Sequence, residues 1–180
     1  MNEQQKRKIS TFMSLVLRHK PEEIGLQLDE NGWALVSDFI SKMNSKGNTL
    51  DFESLEEIVS TNDKKRFAFN DDKTKIRASQ GHSLTIDLAL VEIIPPETLF
   101  HGTVEKFINE IKTKGLLKMS RQHVHLSKDK ETALKVGSRR GNPVILIVNS
   151  SEMQKDGYKF YQSENGVWLT DHVPSKYIQF

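Results

Sequence analysis

The chain has 180 residues, 36% hydrophobic and 28% charged, with 26 Lys plus Arg against 24 Asp plus Glu and no cysteine. This composition suits a globular protein of one or two small domains and excludes a disordered chain; the missing thiols exclude disulfides, thiolate chemistry and the commonest zinc ligands. A net charge of +2 is too small to advertise nucleic-acid binding, so an anion site has to come from local clusters such as Arg18-His19-Lys20, Lys64-Lys65-Arg66 and Arg139-Arg140. No stretch is apolar for long enough to span a bilayer, and Met1 to Gln5 do not open a signal peptide, so the expected location is cytoplasmic.

Ile9, Phe12, Met13 and Val16 recur at helical spacing, which predicts an amphipathic first helix. Its last turn carries Arg18, His19 and Lys20, and Pro21 stops it. Three nitrogen-bearing side chains there either complement the negative end of the helix dipole or face an anionic ligand. Ile24, Leu26 and Leu28 alternate before the turn signal Asp29-Glu30-Asn31-Gly32, predicting a short extended segment and a reversal. Trp33 is expected to seal the core. A second helix is predicted over about 36–43 and a third over about 52–59, the latter with Asp51 as its N-cap. Lys65 to Phe69 and Lys73 to Ala78 read as two strands joined through Asn70-Asp71-Asp72. Three helices followed by a hairpin is the order of a winged helix, an architecture that often binds nucleic acid.

Pro95-Pro96 forms a stiff connector, and the domain boundary is placed there, giving lobes 1–94 and 95–180. The second lobe opens with a strand, Leu99-Phe100-His101, in which Gly102 allows a ligand close to the backbone and Thr103 is a candidate cap for the next helix. Phe107, Ile108 and Ile111 mark that helix, and Gly115 is placed to end it. His123 to Leu126 reads as a strand, Asp129 to Val136 as a helix, and Val144 to Val148 as a strand buried on both faces. Asn165-Gly166 turns the chain into Val167-Trp168-Leu169-Thr170. The fold class is therefore α+β. His123 and His125, two apart on a strand, would share a face, but no third ligand stands at a diagnostic spacing, and no metal is expected. Glycine-rich phosphate loops and a serine nucleophile elbow are absent.

Taken in order, Leu15-Val16-Leu17-Arg18-His19-Lys20-Pro21, Gly32-Trp33, Lys64-Lys65-Arg66-Phe67, Arg77-Ala78-Ser79-Gln80-Gly81-His82-Ser83, His101-Gly102-Thr103, His125-Leu126-Ser127, Gly137-Ser138-Arg139 and Gly166-Val167-Trp168-Leu169-Thr170 closely resemble the RNA 2′-phosphotransferases. Those enzymes remove the splice-junction 2′-phosphate from ligated tRNA. The resemblance implies a winged-helix RNA lobe followed by an ADP-ribosyltransferase-like lobe that binds NAD, which is consumed. It implies Arg18, His19, Arg66 and Arg139 as the catalytic set and His101, Gly102, Thr103, His125, Ser127 and Val167 as the NAD site. Lys20, Lys64, Lys65 and His82 would meet the RNA. Val167 falls where many protein ADP-ribosyltransferases carry a glutamate, which favours a phosphate acceptor. Arg140 departs from the pattern, since many relatives have histidine there.

In the implied chemistry the RNA 2′-phosphate displaces nicotinamide from NAD, and the ribose 2″-hydroxyl then attacks phosphorus to release 2′-hydroxyl RNA and ADP-ribose 1″,2″-cyclic phosphate. Alternatives are an ADP-ribosyltransferase acting on a nucleic-acid terminal phosphate or on a protein, and a non-catalytic winged-helix nucleic-acid-binding protein. The partner expected is tRNA-like RNA bearing a 2′-phosphate, with no membrane and no obligate protein partner, and the chain is expected to be a monomer.

Overall fold

A computed structural model describes residues 1–180. The chain divides into two compact units, Met1–Ala89 and Leu90–Phe180. Both mix helices and short strands, in keeping with an α+β protein.

In the first unit, helix α1 spans Glu3–Arg18 and starts at a capping box. Asn2 Oδ1 accepts from the Gln5 backbone N–H at 2.8 Å while Gln5 Oε1 accepts from the Asn2 N–H at 3.0 Å, so two donors that a helix start leaves orphaned are satisfied. Ile9, Met13, Val16 and Leu17 form its buried face. Helices α2 (Val36–Ser45) and α3 (Phe52–Thr61) follow. Asp51 does cap α3, its carboxylate accepting from the Ser54 N–H at 2.8 Å. Strands β1 (Ala34–Leu35), β2 (Phe67–Phe69) and β3 (Lys75–Ala78) make an antiparallel sheet with β3 in the middle. Met13, Leu17, Phe39, Met43, Leu55 and Ile76, all fully buried, close the core between helices and sheet.

Two local expectations fail here. The segment predicted as extended over Ile24, Leu26 and Leu28 is no strand: its first residue closes a 3₁₀ turn over Pro21–Ile24, and 26–29 carry no regular structure. Proline presets the backbone for such a turn, and Gly25 at φ 67° lets the chain close it, with the Gly25 N–H donating to Glu22 O and the Leu26 N–H to Pro21 O. Ile24 and Leu26 are buried all the same. Trp33 does not seal the core. It is only partly buried, and the guanidinium of buried Arg77 stacks 4.3 Å from its ring centroid; the indole face is the favourable platform for a delocalised cation that has left water.

The second unit is built on three small antiparallel sheets. Strand β7 (Pro143–Val148) lies between β4 (Leu99–Val104) and the short β11 (Ile178–Gln179). Strand β9 (Trp168–Thr170) lies between β6 (Val124–Leu126) and β8 (Tyr161–Gln162). Strands β5 (Leu116–Leu117) and β10 (His172–Val173) pair at the side. Helices α4 (Ile108–Lys114), α5 (Lys130–Ser138) and α6 (Ser150–Lys155) cover them. Leu99, Leu126, Leu146, Val148, Met153 and Phe160 lie at the centre. Gly115, at φ 76°, ends α4 as its spacing suggests. β7 is less buried than expected: Val144, Ile145 and Ile147 keep partial exposure, because β11 reaches only its last two residues.

Helix α5 packs against β4 and β7 at backbone distance. A Cβ on Gly102 would lie 1.8 Å from the Ala133 carbonyl oxygen, and one on Gly137 would lie 3.0 Å from the Thr103 oxygen. The missing side chain at Gly102 therefore admits helix α5. Thr103 is buried inside β4 and caps nothing; Val104 stands at the N-cap of the following 3₁₀ turn without a side-chain bond. Gly102→Ala is expected to destabilise the protein by about 3 kcal/mol, at the upper end of overpacking costs, because backbone must move. Urea unfolding checks this, with Gly166→Ala as a comparison at an open turn where φ is 85° and the nearest atom to a Cβ is 4.0 Å away.

Candidate functional site

The first unit gathers its cations where the segment Gly81–Ser83 docks on the end of α1. A helix C-terminus leaves carbonyls without intrahelical partners. The Ser83 N–H donates to the Arg18 carbonyl at 3.0 Å, and the Ser83 hydroxyl lies 2.9 Å from His19 Nδ1. Gly81, at φ 86°, allows the chain to pass beneath Arg18: a Cβ there would sit 3.5 Å from the guanidinium carbon. Arg66 arrives from the other side. Its N–H donates to Asn62 Oδ1 at 3.2 Å, and its carbonyl accepts from the Ser79 N–H at 2.8 Å, so the entry to β2 is tied both to the end of α3 and to the exit of β3. Arg18, Arg66 and Lys64 line one cleft of about 890 Å³. Lys20 and Lys65 are exposed outside that lining.

His82, expected among the RNA contacts, is 1% exposed and lies beneath the surface, close to Gly32. Direct contact with RNA is closed to it. Neither ring nitrogen finds a hydrogen-bond partner within the protein. Burial, and then the nearby charges of Arg18, Arg77 and His19, press its pKa down to about 4. The ring is therefore neutral at physiological pH and adds no further charge beneath Arg18.

In the second unit, His101 on β4 and His125 on β6 are locked together. Phe100 and Ser127 exchange backbone hydrogen bonds at 2.8 Å in both directions, which holds the two strands at this point. His101 Nδ1–H donates to the His125 carbonyl at 3.0 Å, leaving Nε2 as the acceptor nitrogen of that ring. Burial lowers the pKa of His101, opposed by that carbonyl and reinforced by the charges of Arg140 and Arg121, so it too is neutral. Arg121 Nη1 lies 3.2 Å from His125 Nδ1 and donates to it. The pKa of Arg121 is itself lowered, by partial loss of hydration and then by the charge of Arg140, although the side chain stays exposed.

Arg121 is missing from the sequence-derived candidates; its position four residues before His125 was the one available signal. Both adjacent arginines after α5 are exposed; Arg140 is the one whose charge bears on His101 and Arg121, while Arg139 is the C-cap of the helix. Val167 sits in the turn before β9, its N–H donating to the Ser163 hydroxyl at 3.2 Å. His123 and His125 do not form a pair: the strand starts at Val124, the His123 ring lies 6.0 Å from that of Tyr161, and His125 Nδ1 faces a guanidinium.

The state of His82 has a thermodynamic consequence. A histidine at pKa about 4 when folded and ~6.5 when unfolded binds its proton more readily in the unfolded chain. Its neutral burial is without penalty above pH ~6.5, and stability is lost as the pH falls from there towards 4, by about 3 kcal/mol in all. Urea unfolding between pH 7 and 4.5 is expected to show a shallower loss for His82→Asn than for the parent; parallel pH profiles would remove His82 as the cause.

The chain matches the family model described as RNA 2′-phosphotransferase, Tpt1 / KptA family, over residues 4–172. A probable RNA 2′-phosphotransferase of Flavobacterium johnsoniae is 66% identical over 180 residues, covering 100% of this chain and 99% of that protein. Similarly named proteins of Fusobacterium nucleatum and Streptomyces coelicolor are 56% and 47% identical, over 96% and 100% of this chain and 97% and 98% of theirs. Likeness at this level along the whole length makes this chain a member of the RNA 2′-phosphotransferase family.

Proposed function

We propose that this protein removes an internal 2′-phosphate from tRNA-like RNA by transferring it to ADP-ribose, consuming NAD. The first unit acts as a winged-helix RNA module and the second as an ADP-ribosyltransferase-like NAD module. The observation that carries the reading is the convergence of Arg18 and Arg66 on one cleft, with His19 held beside Arg18 by Ser83. Forked guanidinium donors suit a phosphate monoester, which needs to be oriented and stripped of water more than it needs a base. The second cluster fits NAD by its donor set. Neutral His101 offers Nε2 to a ribose hydroxyl, and Arg121 with Arg140 concentrate positive charge suited to a pyrophosphate.

The chemistry then runs in two steps. A phosphate oxygen forms a bond to the anomeric carbon of the nicotinamide ribose, and the carbon–nitrogen bond breaks with its electron pair leaving on nicotinamide. The ribose 2″-hydroxyl next attacks phosphorus, giving up its proton, and the RNA 2′-oxygen leaves and takes one. Negative charge builds on the phosphoryl oxygens mainly in this second step, so Arg18, His19 and Arg66 weigh most there. The Ser83 hydroxyl can donate to or accept from His19 Nδ1, which permits either tautomer and lets Nε2 release or receive the proton.

Incubation with NAD and an oligonucleotide bearing one internal 2′-phosphate is expected to release nicotinamide and convert the RNA to its 2′-hydroxyl form. His101→Ala should depress nicotinamide release while RNA affinity holds. Phosphate loss without NAD, or NAD cleavage without phosphate loss, would overturn the reading. Arg66→Ala and His19→Ala are each expected to slow the second step more than the first, by ~10²–10³ for the loss of one preorganised donor. ADP-ribosylated RNA phosphate should therefore accumulate in a time course; a mere slowing of substrate loss with no intermediate would refute this division between the steps.

A further inference from the structure

The cleft that contains Arg18 and Arg66 is much larger than one phosphate needs, and it continues along α1 towards its N-terminus. Arg7, Thr11, Ser14 and Arg18, spaced by four, three and four residues, share one face of that helix and line it. Asn62, Lys64 and Arg66 supply the opposite wall. The walls are tied together. Asn62 Nδ2 donates to the Ser10 hydroxyl at 3.4 Å while its Oδ1 takes the Arg66 N–H, and Lys6 bridges from α1 to Glu57 of α3 at 2.7 Å. Lys6 is also 3.2 Å from Glu3, so this one lysine meets two carboxylates. The lining carries Arg7, Arg18, Lys64 and Arg66 as well, with Asp63 and Glu3 as its acidic members.

We infer that this groove is a built track for the single strand flanking the reactive nucleotide, with Arg7 and Lys64 binding phosphodiesters and the Ser14 hydroxyl between them meeting a sugar or phosphate oxygen. The inference rests on the reading above, which puts the 2′-phosphate at Arg18 and Arg66. Eleven residues separate Arg7 from Arg18, a rise of about 16 Å at ~1.5 Å per residue. At about 3.4 Å per stacked nucleotide that length holds four or five nucleotides. Cations interleaved with hydroxyl and amide groups suit a polyanion read through its backbone, without base specificity. Continuity with the phosphate site favours RNA over an acidic polypeptide, which has no group for Arg18 and Arg66 at the end of the track.

Fluorescence anisotropy with labelled single-stranded RNA of about twelve nucleotides, with and without one internal 2′-phosphate, tests the track apart from the transfer reaction. Arg7→Glu and Lys64→Glu are each expected to weaken binding by ~10-fold or more and to reduce the salt slope by about one. Both losses should appear equally on RNA lacking the 2′-phosphate, so a failed phosphotransfer assay would leave them intact. Lys46→Glu makes the same charge change on an exposed helix end outside the cleft and should stay within about twofold of the parent. Shortening the RNA to about three nucleotides should erase the difference between Arg7→Glu and the parent. Arg7 is exposed, and Arg7→Gln with a thermal melt serves as a second variant. Equal losses for Lys46→Glu, unchanged affinity in Arg7→Glu and Lys64→Glu, or displacement of RNA by polyglutamate at matched concentration would overturn the track.

Discussion

The first unit depends on one hydrogen bond, from the Ser83 N–H to the Arg18 carbonyl. A helix ending in three basic side chains has carbonyls to satisfy and cations to aim, and this bond does both by drawing a distant segment across the end of α1. Ser83 then reaches His19, Gly81 passes under the Arg18 guanidinium, and His82 is forced inward between them. The cationic face at the end of α1 is thus held by a contact between residues more than sixty positions apart. Its rigidity comes from backbone rather than from long flexible side chains, which suits electrostatic stabilisation that must exist before charge develops.

That arrangement has a cost, and His82 carries it. A buried imidazole with neither nitrogen bonded is destabilising. Here the alternative is worse: a protonated ring would add a charge next to Arg18, Arg77 and His19. Keeping it neutral limits repulsion under a site that already concentrates positive charge. The second unit uses related logic. His101 is fixed by a carbonyl and His125 by a guanidinium, and burial keeps His101 from adding a cation beside Arg121 and Arg140. Charge in both clusters is therefore assigned to arginines, whose charge persists where a histidine loses its own.

Periodicity and punctuation were enough to read most elements. The 3.6-residue spacing in α1, α2 and α3, Asp51 as a cap, Gly115 as a stop and the hairpin around Asn70 all follow from local physics. Elements failed where two local rules competed. After Pro21, alternation of apolar residues suggested a strand, but proline followed by Gly25 closes a 3₁₀ turn while still burying Ile24 and Leu26. Trp33 followed the usual preference of tryptophan for the interior until a buried arginine claimed its face.

The chemical identity of the candidate residues was determined by the sequence alone, because residue type in a matched order carries the family and the donors that the chemistry needs. Which donors meet was decided by tertiary structure. Arg121 and Arg140 gain their relation to His101 from strand pairing and from the end of α5, His82 loses its surface by the docking of its own segment, and Gly102 serves helix packing. Each of these depends on contacts between residues far apart in the chain, and such contacts are set by which surfaces fit at backbone distance, a property that no window of local sequence contains.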